Sequence, residues 1–109
     1  MSDYFPDKWL VVKINSEVPH YRVFACWYGG YLGSDSWKLN SGITKVIFED
    51  DMYSFEGSSG SVYHCHKNAY GSNGYGTGVL NRMIEESKQK NVVIDILPEE
   101  TNWLELNYA

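Results

Sequence analysis

The sequence predicts an α+β fold, a mostly antiparallel β-sheet of about six strands with one helix packed on a face. Three observations predict it. Short segments rich in β-branched and aromatic residues recur as far as Lys67, with Gly, Asn, Asp and Ser between them. One later segment carries apolar residues at helical spacing on one side only. A last apolar segment follows it and is stopped by Pro98.

Residues 8–16, KWLVVKINS, read as the first strand, closed by Asn15 and Ser16. Residues 20–28 read as the second, with Tyr21, Val23, Ala25 and Trp27 on one face and Arg22, Phe24, Cys26 and Tyr28 on the other. Pro19 lies in the connection, so these two strands are expected to form a hairpin. Residues 43–49 and 52–56 flank an Asp50-Asp51 turn, and 61–67 follow the turn Gly57-Ser58-Ser59-Gly60. The glycine-rich loop 68–77 leads into a helix over 78–90, with Val79, Leu80, Met83 and Ile84 as its stripe and Thr77 as its N-cap. Asn91 ends the helix, and residues 92–97 form the last strand. Trp103, Leu104 and Leu106 imply that the acidic tail docks on the body.

At 109 residues the chain is expected to form a single domain, 1–109. No apolar run approaches the roughly 20 residues that span a bilayer, and the start, MSDYFPDKW, lacks a basic stretch followed by an apolar one. With no secretory signal, Cys26 and Cys65 are expected to stay reduced. Nine basic residues against fourteen acidic ones, a net charge of −5, argue against long nucleic acids and anionic membranes, which reward clustered Lys and Arg. The acids are unevenly spread. Residues 18–48 hold only Asp35, and residues 57–84 hold none. A small anionic ligand favours such a locally less negative site on an acidic protein.

Residues 21–42, YRVFACWYGGYLGSDSWKLNSG, gather six aromatics and four glycines around that single acid. Flat rings, close backbone approach and polar donors equip a pocket for a polar, planar ligand. Trp27, Tyr28, Tyr31 and Trp37 are suited to stack a base; Lys38, Lys67, Ser34, Ser36 and Asn40 are suited to hold phosphate or sugar. The loop before the helix adds Tyr70 and Tyr75, and its GSNGYGTG run offers backbone amides to a phosphate. Alternation puts Trp27 and Tyr28 on opposite faces of their strand, so at most one points directly into a given face's pocket.

Other constellations are weaker. His64 and His66 share a strand face and are two plausible metal ligands, with His20, Asp50 or Asp51 as a third. No HExxH or paired CxxC supports them, and hydrogen-bonding histidines with no metal are expected. Cys26 and Cys65 lie mid-strand, where a thiol is normally buried and inert. There is no GxSxG elbow, no Rossmann GxGxxG and no Walker lysine motif, and Asp35 is expected to cap or shape its loop or to accept from a ligand's donor, not to act as a base. The expectation is a binding protein with no catalytic residues and no cofactor.

The motifs WYGGYLGSDSWKLNSGIT and SFEGSSGSVYHCHKNAYGSNGY, with the opening DYFPDKWLVVKI, resemble a family of small proteins from tailed bacteriophages, over roughly the first 80 residues. Within that group the chain is similar to the anti-CBASS sponges. These sequester cyclic-nucleotide immune signals without cleaving them and assemble as homotetramers. The resemblance implies immune evasion in the cytoplasm of the infected bacterial host. It also implies a homo-oligomer holding a cyclic dinucleotide such as 3′3′-cGAMP between subunits. Two alternatives stand beside it: a small enzyme, metal-assisted at His64 and His66, that degrades such a signal, and a phage protein that binds a host protein through exposed aromatics.

Overall fold

A computed structural model describes residues 2–31 and 33–108. Among them are eight strands and one helix: β1 (Asp3–Tyr4), β2 (Lys8–Asn15), β3 (His20–Trp27), β4 (Ser36–Leu39), β5 (Ile43–Glu49), β6 (Met52–Gly57), β7 (Val62–His66), α1 (Gly74–Gln89) and β8 (Val93–Ile96). The fold is α+β and mostly antiparallel, with the helix packed on a sheet, as the sequence predicts. The strands divide into an outer sheet, β1-β7-β6-β5, and a central sheet, β4-β3-β2-β8. Only β1 and β7 run parallel within these sheets.

The division follows from β2 and β3, which are apolar on both faces. Trp9, Val11, Val23 and Ala25 face the outer sheet and pack with Ile43, Phe55, Tyr63 and Cys65. Leu10, Val12, Phe24 and Cys26 face the helix and pack with Leu80 and Ile94. A strand buried on both faces needs a layer on each side, and the outcome is sheet, sheet, helix. The runs WLVV and VFAC carry that signal as unbroken apolar stretches.

Two strands lie beyond the sequence-based assignment. β1 has two residues, too few for any alternation. β4 lies inside the serine- and glycine-rich stretch read as loop, and is held by pairing Cys26 with Trp37 and Ala25 with Lys38. The helix begins four residues earlier than its apolar stripe indicates. Asn73, not Thr77, is its N-cap, with its side chain accepting from the Gly76 amide at 2.6 Å. Thr77 lies inside the first turn, donating its amide to the Asn73 carbonyl. Glycines 74, 76 and 78 depress helix propensity, which is why this turn reads as loop. In the tail, Trp103 is buried against Trp9 and Phe55 and Leu106 packs on the same core, while Leu104 points outward.

Candidate functional site

The chain entering at β1 sets Tyr4 and Phe5 against the end of the central sheet where β3 and β4 pair. A cleft of about 630 Å³ opens there, lined by Asp3, Tyr4, Phe5, Trp27, Ser36, Trp37 and Lys38. Lys38 is opposite Ala25, and its ammonium stands 5.2 Å from the centre of the Tyr4 ring. Trp27 meets Tyr4 edge-on at 6.2 Å, and its indole N–H donates to the Phe5 carbonyl at 3.0 Å. Trp37 is opposite Cys26 and stacks on Phe24 at 5.6 Å. Phe5 lies flat on the His64 ring at 4.7 Å and is otherwise 61% exposed. Asp3 meets His64 Nε2 at 3.0 Å.

The loop beside the cleft is tied at both ends. The Tyr28 amide donates to Asp7 at 2.8 Å, and the Gly29 amide to Asp35 at 2.9 Å. Asp35 thus shapes its loop. Gly29 is crowded by the backbone of Ser34 and Gly33, at 2.3 and 2.4 Å from where a Cβ would stand, so only glycine lets the loop close this tightly.

Of the eleven residues marked in the sequence, four line the cleft together: Trp27, Ser36, Trp37 and Lys38. Tyr28, Tyr31 and Ser34 are exposed on the neighbouring loop. Asn40 is 2% exposed, its side-chain oxygen accepting from the Val23 amide at 2.8 Å, so it fastens the end of β4 to β3. Tyr70 is a core residue. Its hydroxyl donates to the Leu97 carbonyl and accepts from the Val11 amide, and burial pushes its pKa up to about 12. Lys67 pairs with Asp51 at 3.2 Å and lines a separate cleft rimmed by Glu99 and Glu100, where an anion meets like charge. Tyr75 is half exposed in the first turn of the helix. At the helix start the Gly76 amide is already taken by Asn73. The second glycine–tyrosine segment therefore does not converge on the cleft.

The histidines are engaged locally. His64 Nδ1 lies 2.8 Å from Ser54 Oγ, and His66 Nδ1 accepts from the Asn68 amide at 3.1 Å. No group of three or more His, Cys, Asp or Glu suited to a metal ion occurs among the described residues. Cys26 and Cys65 are both buried free thiols, and burial raises both pKa values, Cys65 strongly. Thiols held protonated are poor nucleophiles.

Sequence reasoning missed Asp3, Tyr4 and Phe5. Their one local signal is an acid followed by two aromatics just before Pro6, a pattern that says nothing about which strand end it will reach. No helix among the described residues is long and apolar enough to cross a membrane. Comparison with protein-family models, curated proteins and solved structures yields no match.

Proposed function

We propose that this protein binds a small nucleotide-derived anion, such as a cyclic dinucleotide, and sequesters it without cleaving it. One observation carries the proposal: the rings of Tyr4, Phe5 and Trp27 and the ammonium of Lys38 line a single cleft of about 630 Å³, while the Trp37 ring, on the other face of β4, packs on Phe24 beside the helix. Rings of this kind stack bases, the ammonium neutralises phosphate, and the volume is that of a small-molecule site. The phage resemblance supplies the ligand class, a host defence signal in the infected bacterial cytoplasm, and a homo-oligomeric working form.

The test is to incubate the purified chain with a panel of cyclic nucleotides, remove excess, heat, and analyse what is released. Intact ligand is the expected result, and a chain that retains nothing sinks the proposal. Trp27→Ala is expected to weaken binding by about 1–3 kcal/mol by titration calorimetry, the worth of one stacked base. Undiminished affinity in a folded Trp27→Ala chain would remove that ring from the site.

One observation favours an enzyme instead. Ser54 Oγ, His64 and Asp3 form a hydrogen-bonded chain, at 2.8 and 3.0 Å, of nucleophile, base and acid. Ser54 sits on β6, however, between β5 and β7. Its neighbouring amides are committed to the ladders, so the sheet face lacks the paired N–H donors that hold an oxyanion. Ser54→Ala is accordingly expected to leave ligand retention unchanged. Recovery of altered ligand from the wild-type chain, abolished by Ser54→Ala, would replace the sponge with a hydrolase.

A further inference from the structure

β5 is one edge of the outer sheet and, at seven residues, exceeds the other edge strands β1, β4 and β8, which have two, four and four. Ile47 and Phe48 are 46% and 40% exposed on it. A register shift blunts only its first end, between Ile43 and Lys45; from Lys45 to Glu49 the pairing with β6 is regular. An edge of this length offers free N–H and C=O groups to another strand.

The turn fixes which groups these are. Asp50 and Asp51 have φ of 52° and 62°, a two-residue turn of the primed hairpin type. The flanking pair, Glu49 with Met52, is therefore a hydrogen-bonded one, and bonded and unbonded pairs alternate from there. Lys45, Ile47 and Glu49 aim their backbone groups at β6, whereas Val46 and Phe48 aim theirs outward. A second copy of β5 running antiparallel must take its bonds from Val46 and Phe48.

That leaves three central registers. Val46 on Val46 sets Ile47 against Lys45, and Phe48 on Phe48 sets Ile47 against Glu49. Val46 on Phe48 sets Ile47 on Ile47 at the two-fold axis and Lys45 against Glu49 twice. Only this register matches apolar with apolar and opposite charge with opposite charge. We propose that two copies of this chain pair antiparallel along β5 in this register, joining their outer sheets. The pairing rests on the homo-oligomeric form proposed above and gives it an interface; its failure would remove that form but leave the cleft and its ligand-release test standing.

The experiment is sedimentation equilibrium on the ligand-free full chain. A dimer is expected, or a larger assembly that the same variants split. Val46→Pro removes an N–H that points outward and spares the β6 ladder, so it should dissociate the pair with far-UV circular dichroism unchanged. Glu49→Lys should raise the dissociation constant about tenfold, since both cross-strand pairs become repulsive. Adding Lys45→Glu should restore it. A monomeric wild-type chain, a folded Val46→Pro variant that still assembles, or no rescue by the charge exchange overturns the proposal. If Val46→Pro fails to fold, the charge exchange alone decides.

Discussion

Replacing Trp9 with alanine is expected to cost about 3–5 kcal/mol, a large share of the 5–15 kcal/mol that typically holds a domain together. Trp9 is 1% exposed and joins three parts of the fold. Its ring meets Tyr53 and Phe55 of the outer sheet, Tyr70 of the following loop and Trp103 of the tail, with centroids at 4.8–6.1 Å. Its indole N–H donates to the His66 carbonyl at 2.7 Å. Alanine would open a cavity between the sheets and take away one of that carbonyl's two donors, leaving the Ala69 amide. Urea unfolding should show a lower midpoint. A loss below about 1 kcal/mol would mean that the ring cluster is not what holds the layers together.

Gly76→Ala is expected to destabilise by about 1–3 kcal/mol, although alanine is the better helix former by about 1 kcal/mol. Packing decides the sign. A Cβ at Gly76 would stand 2.3 Å from Cys26 Sγ and 2.9 Å from Asn73 Oδ1, which forces the helix off the central sheet and disturbs its cap. At Gly78 nothing lies within 4 Å of a Cβ, so Gly78→Ala should stabilise by about 0.5–1 kcal/mol. Thermal unfolding of the two variants side by side gives opposite shifts; a Gly76→Ala chain more stable than wild type would refute the close contact. Asn73 also donates to the Trp27 carbonyl at 3.3 Å. Loss of the cap is therefore expected to loosen the strand end that carries the cleft.

Much of this molecule was legible before folding. The hairpin of β2 and β3, the tight turn at Asp50-Asp51, and β5 through β7 follow from alternation and turn chemistry, which are local properties. The cleft was half legible. Trp27, Ser36, Trp37 and Lys38 stood out because aromatic, glycine and cation density are compositional signals. Asn40 and Tyr70 carry the same chemistry yet serve the core, since which buried carbonyl or amide awaits a side chain depends on strands distant in sequence. Tyr4 and Phe5 reach the cleft only through the pairing of β1 with β7, some 59 residues along the chain.

By itself, the sequence determined the α+β class, the position of most strands, and an aromatic, acid-poor segment with one lysine among its rings. Those follow from patterns within a dozen residues. Only the tertiary structure decided that the strands form two sheets, that Asn73 caps a longer helix, and that the N-terminal aromatics complete the cleft. Each depends on which apolar face covers which, and that is settled when the layers close on one another.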